Sequence, residues 1–293
     1  MDHATLHSIE MLGLRGAFAA LVISAVLYGA TYYFRASKAL PRAGAAFAVL
    51  SLVALVAILF ARAFQADEVR IPLTSLFEFS VCFVMGIVLA FLVASLKWNL
   101  RPLAPPILVV ATAVYWLGLR GYQEVEPTIM AALHSYWRNI HILTAMLSYG
   151  PLAVAFVTGL MALRQYRVEA AGKAPVPVSD GEEPPLTADQ LDEITYRIIA
   201  FSFPWLTALI VTGAIWAESA WGTWWAWDPK EVWSMITWII YAAYLHTRLV
   251  RKWKGMTSSA VAVGGFALVL FTWIGVNWIA KVFKVEGLHT YGQ

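Results

Sequence analysis

The stretch IIAFSFPWLTALIVTGAIWAESAWGTWWAWDPKEVW, Ile198 to Trp233, decides how the rest of the chain is read. Its opening part, Ile198 to Ala217, carries no charge. At about 1.5 Å per residue, some 20 apolar residues reach across the roughly 30 Å of a bilayer's hydrocarbon. Pro204 lies inside this segment, where the lost backbone donor favours a kink. The part from Trp216 to Trp233 holds six of the chain's fourteen tryptophans. Within it, Asp228, Pro229 and Glu231 fall at the N-cap, N1 and N3 positions of a strong helix start. A crossing, an aromatic loop and a second crossing are thus written into one stretch.

Working outward, the same pattern recurs along all 293 residues, which are 60% hydrophobic, 13% charged and have a mean hydropathy of +0.66. That composition lies outside the range of soluble domains. The expected fold is an all-α, polytopic integral membrane bundle forming one domain, 1–293. Eight spans are expected: Leu14 to Phe34, Ala43 to Ala61, Leu73 to Leu96, Leu103 to Leu117, Trp137 to Leu163, Ile198 to Ala217, Glu231 to Thr247 and Thr257 to Val282. No removable signal peptide is recognised before the first span, so it is expected to be retained. Gly150 and Pro151 predict a second kink, in span five.

Alternate connections carry Arg35, Lys38 and Arg42; Lys97 and Arg101; Arg164, Arg167, Lys173 and Arg197; and Arg248, Arg251, Lys252 and Lys254. These are thirteen of the twenty-one basic residues, and the positive-inside rule makes their side cytoplasmic. Both termini and the tryptophan run are then extracytoplasmic. The net charge of +3 is spread as topology signals, with no patch suited to nucleic acid. Cys82, the one cysteine, excludes an internal disulfide or a CxxC site and reads as a packing residue. The segment 168–186, rich in Ala, Pro, Gly and acids, reads as a flexible cytoplasmic linker. At its end, Thr187 and Gln190 form a capping-box pattern that starts the helix leading into span six. Neither internal repeats nor paired broken helices are evident.

Trp221, Trp224, Trp225 and Trp227 read either as an interfacial aromatic belt or as a ligand platform suited to a planar, mostly apolar macrocycle. Their crowding favours the platform. Gly222 would let the loop backbone approach such a ligand. Topology brings His141 and His289 to the side of this loop, where each is either an interfacial histidine or a metal ligand. His246 lies fifteen residues into span seven, roughly 22 Å below the loop. At that depth an ionisable group is a functional candidate. Glu78, about 7 Å inside span three, must find a partner or be protonated. His3, His7 and His134 read as incidental, the first two as solvent groups in a polar tail.

WGTWWAWDPKEVWS, Trp221 to Ser234, resembles the tryptophan-rich signature of the haem-handling membrane proteins, and within them the CcsA (ResC) type of system II cytochrome c biogenesis. PLTSLFEFSVCF (Pro72 to Phe83) is similar to that family's PLSNLYESLxFL, SYWRNIHILTAMLSYG (Ser135 to Gly150) to its SxWLxxHVxxxxxSYA, and GLHTYG (Gly287 to Gly292) to its GLHSYG ending. The resemblance implies a multi-pass protein of a bacterial cytoplasmic membrane or, in organellar relatives, of the thylakoid. It implies haem b as substrate and bound ligand, with His141 and His289 as extracytoplasmic axial ligands above the tryptophan platform and Asp228 in its signature. It implies an intramembrane haem ligand at His246, on a route from the cytoplasmic side. The opposing ligand would come from a CcsB (ResB) type membrane subunit, since no second intramembrane histidine is present. The chemistry implied is thioether attachment of haem to the CxxCH thiols of apocytochrome c. This chain supplies no nucleophile for it and would act as a component of a cytochrome c synthase. Lys230 and Arg138 either pair with haem propionates or serve as a cap and a snorkelling cation.

Three other readings stand beside this one: haem export without attachment, a respiratory b-type haem subunit, and a permease with a tryptophan-lined mouth. The second calls for two ligand histidines on one span, and none has them. The third is opposed by the lack of repeats and of buried charge beyond Glu78 and His246.

Overall fold

The computed structural model describes residues 2–34, 37–66, 69–125, 134–172, 186–276 and 278. Among them it contains eight α-helices: α1 (His3–Ala30), α2 (Ala39–Gln65), α3 (Leu76–Lys97), α4 (Ala104–Leu119), α5 (Tyr136–Ala170), α6 (Ala188–Trp221), α7 (Pro229–Val250) and α8 (Met256–Leu270). Seven are long and apolar enough to cross a membrane. The exception, α7, has the length at 22 residues, but its Trp, Tyr, Thr and His side chains lower its hydropathy. The chain is therefore an all-α polytopic membrane protein.

The helix boundaries follow local chemistry. Ser75 and Glu78 form a reciprocal capping box that starts α3 at Leu76, three residues later than the hydropathy of span three suggests. Thr187 and Gln190 form the box expected before α6, and Asp228 and Glu231 the one before α7. The expected tail holding His3 and His7 is instead the first turns of α1, capped by Asp2, with both imidazoles exposed. The expected linker 168–186 begins too early, because α5 continues to Ala170; residues 173–185 lie outside the described residues. At 35 and 34 residues, α5 and α6 reach about 50 Å, well beyond the hydrocarbon of a bilayer. Each runs through its internal proline, Pro151 and Pro204.

Helices α1 and α2 pair, α4 packs on α1 and α3, and α3 joins that group to α5. On the other side of α5 lie α6 and α8, with α7 against both. Where α3 crosses α5 the backbones nearly touch, and a Cβ on Gly150 would come within 2.3 Å of the Gly86 carbonyl carbon. Only glycine at both positions permits that crossing. It draws the cores of the two halves together around Phe83, Tyr149 and Phe91.

Two buried ionic clusters tie the helices at their ends. In the first, Arg62 of α2 donates from Nε to Glu78 of α3 and from Nη1 to Glu10 of α1, each at 2.7 Å. In the second, Arg248 of α7 pairs with Asp192 of α6, donates to the Trp253 carbonyl at 3.0 Å, and lies 4.8 Å from the centre of the Tyr196 ring. Ser259 of α8 adds a bond to Asp192 at 3.2 Å. The partner that the sequence requires for Glu78 is thus Arg62.

Candidate functional site

A cleft of about 210 Å³ opens beside the tryptophan run and is lined from four directions. The turn Leu73–Leu76 ahead of α3 forms one wall; α5 supplies His141 and Tyr149; α6 supplies Gly213 and Trp216; and Trp225, Lys230 and Trp273 come from the loop, α7 and the segment after α8. Arg138, one turn before His141, lines it as well and is 4% exposed.

His141 is held in a defined orientation. Its Nδ1 lies 2.9 Å from the Leu209 carbonyl, an acceptor only, so Nδ1 carries the proton and the lone pair is on Nε2. The ring packs on Trp216 with centroids 5.8 Å apart, and the backbone of Gly213 fits closely against its Cε1–Nδ1 edge. A Cβ at Gly213 would stand 3.0 Å from both Cε1 and Nδ1. Below the ring, Thr144 donates to the His141 carbonyl at 2.7 Å. A ring nitrogen held on a backbone carbonyl is one way in which metal-ligating histidines are oriented.

The tryptophan run divides into three parts. Trp216 and Trp221 belong to the last turns of α6, tilted against each other at 5.2 Å. The true loop is residues 222–228. Gly222 adopts φ +70° as the left-handed cap that ends α6, and a Cβ there would meet nothing within 4 Å. Glu231 then gathers the loop, accepting from the backbone N–H of Ala226 at 2.9 Å and of Asp228 at 3.1 Å. Asp228 is buried and caps α7 through a bond from the Lys230 N–H.

Trp227 pays for this hairpin with φ +58°, a conformation that a bulky side chain rarely takes. Its ring stands at 89° to that of Trp225, and Trp224 and Trp227 are 60% and 69% exposed. The expected flat platform is therefore a folded one, in which Trp225 lines the cleft while Trp224 and Trp227 project beyond its rim.

The remaining candidates separate. His246 is exposed on the outward face of α7, in a stripe with Ile239, Ala243, Leu249 and Val250, and is not among the residues of the cleft. His289 and the GLHTYG tail lie outside the described residues, as does the end of span eight. Residues that the sequence reading missed are Trp216 and Trp273 as cleft walls and Glu10, Arg62, Asp192 and Arg248 as buried ion partners. Trp273 is placed by a π-helical turn, Phe271–Gly275, whose wider winding also brings Thr272 to the cleft. The ion partners had a signal, since charges inside apolar spans imply opposite charges facing them. No group of three His, Cys, Asp or Glu side chains among the described residues is arranged to hold a metal ion.

Comparison with known proteins identifies the family. The model of the family described as cytochrome c assembly protein matches residues 11–284. A cytochrome c biogenesis protein CcsA of Gloeobacter violaceus is 31% identical over the whole chain and 98% of its own length. That of Guillardia theta is 30% identical over 94% of each chain, and that of Synechococcus elongatus 32% identical over 94% of this chain and 95% of its own. In fold, the chain is similar to the solved structure of the cytochrome c haem lyase CcmF, with a TM-score of 0.65 at 19% identity. That likeness covers 95% of this chain but only 46% of the larger one. The chain belongs to the cytochrome c assembly protein family, and the relatives named here are of its CcsA type.

Proposed function

We propose that the protein acts in cytochrome c maturation, receiving haem across the membrane and presenting it at the cleft for attachment to apocytochrome c. The observation that carries this reading is His141, its Nδ1 fixed on the Leu209 carbonyl and its ring packed on Trp216 and close to Gly213 in an aromatic cleft. Haem fits such a donor set as substrate. It requires a neutral imidazole, flat apolar contacts and cations for its propionates, and the cleft offers His141, Trp216 with Trp225, and Arg138 with Lys230. His289 is the proposed second ligand.

Thioether formation adds a thiol across a vinyl group: a C–S bond forms, and the thiol proton goes to the other vinyl carbon. The substrate cytochrome brings both thiols, so the work of this chain is to bind, orient and exclude water. His141 holds the iron side. Trp225, pinned by way of Glu231, supplies a wall, and the exposed Trp224 and Trp227 meet the incoming apocytochrome. The CxxCH histidine then replaces one of the two ligands. The basic residues between alternate spans support an extracytoplasmic cleft.

His246 supports a partner subunit. His246 faces outward from α7 and lies outside the cleft, which supports a companion ligand from a CcsB (ResB) type protein docking there. Haem export without attachment remains the alternative, since His246 alone would serve it.

The test is the yield of covalent c-type cytochrome in cells whose own factor has been deleted. Wild type restores it; His141→Ala and His289→Ala lower it at least tenfold, with partial recovery on added imidazole. Full yield from both variants would refute the reading.

A further inference from the structure

The cleft has no lining residue from α1 or α2. Even so, a side chain from each is joined to the carboxylate that holds one of its walls. Glu78 Oε2 accepts the N–H of Thr74 at 2.6 Å, its hydroxyl at 2.9 Å and the N–H of Ser75 at 3.1 Å, and Thr74 and Ser75 belong to the wall turn. The other oxygen of Glu78 takes Arg62 Nε. Arg62 is itself fixed, with Nη1 on Glu10, Nη2 on the Gln123 carbonyl at 3.1 Å, and the guanidinium carbon 5.2 Å and 5.6 Å from the ring centres of Phe77 and Tyr122. Gln65 completes the set by donating to Glu10 at 2.9 Å. All three charged side chains are 2% exposed or less.

Stability alone accounts poorly for this arrangement. Burying three charges incurs a desolvation cost that apolar residues of the same volume would avoid, and replacement of such triads is often neutral or stabilising. What a rigid fork with two fixed acceptors supplies is direction. From the geometry we infer that Glu10 and Arg62 are positioning residues for the haem cleft. They act through Glu78 to set the Leu73–Leu76 wall of the cleft that His141 also lines, so that α1 and α2 shape a site they do not touch. This inference rests on the haem-presentation reading.

The test compares the haem retained per chain, and its absorption bands, in protein purified after co-expression with the partner subunit. The variants are Arg62→Met, Arg62→Lys, Glu10→Gln and, as reference, His141→Ala. The relay predicts that Arg62→Met retains about tenfold less haem, as loss of an orienting partner does at metal sites, with shifted bands. Glu10→Gln, nearly isosteric, should fold like wild type and show a smaller loss with a shift in the same direction. Arg62→Lys, which keeps the charge but not the fork, should not restore either property. Wild-type haem content and bands in Glu10→Gln and Arg62→Lys would overturn the relay, and these two variants decide the matter if Arg62→Met fails to accumulate. An unchanged His141→Ala would instead sink the haem site itself.

Discussion

At the residue scale, the fit around His141 is the most exacting feature of the molecule. Gly213→Ala adds one methyl group 3.0 Å from the imidazole, so either the ring or α6 must shift by a few tenths of an ångström. The expected result is an intact protein whose haem retention falls by about tenfold, read from the absorption spectrum. Gly264→Ala is the matched control, since its Cβ would meet nothing within 4 Å; it should leave the spectrum unchanged and gain up to about 1 kcal/mol in helix propensity. Trp227 makes the opposite case. Relieving its positive φ with Trp227→Gly should raise thermal stability by about 1 kcal/mol while lowering cytochrome yield, because the strained residue is one of the two tryptophans that project beyond the rim.

At the scale of elements, the α6–α7 hairpin depends on a single carboxylate. Glu231 completes the capping box and accepts two loop N–H groups, so Glu231→Ala should cost about 2 kcal/mol and make the 222–228 segment the first site of limited proteolysis. The helix start was legible in the sequence because Asp, Pro and Glu at fixed offsets carry their mechanism with them. The rings were not. Six tryptophans in one run suggested a flat surface, whereas the left-handed turns at Gly222 and Trp227 rotate successive rings away from one another. Spacing along a chain cannot show such turns when the residue that takes one is a tryptophan. His141 was legible as a candidate, but its carbonyl anchor was not, because Leu209 lies on another helix and contributes only backbone.

At the scale of the whole molecule, the two ionic clusters bracket the bundle. The pair Arg248 and Asp192 clamps α7 to α6 and α8, so Asp192→Ala leaves a buried guanidinium and should cost about 3–5 kcal/mol, seen as lost accumulation in the membrane. The double variant with Arg248→Met should recover much of that loss, which separates a stabilising pair from one retained to orient the helix. Hydropathy pointed to eight crossings, of which seven described helices are long and apolar enough, and to a buried Glu78, yet it could not assign partners. Pairing of Glu10, Arg62 and Glu78 is set by how α1, α2 and α3 meet in space, and no local rule encodes that. The outward histidine of α7 has its consequence here too: His246→Ala should leave the spectrum arising at His141 unchanged while lowering the amount of haem that reaches it.

The central claim is that the cleft beside His141 holds haem through this residue. The most direct measurement is the absorption spectrum of the protein purified in detergent after co-expression with its partner subunit, comparing wild type with His141→Ala and His289→Ala. The account predicts a bis-histidine haem spectrum in wild type that is lost or altered in each variant. Haem absent from the wild-type protein, or a spectrum indifferent to both substitutions, would contradict it.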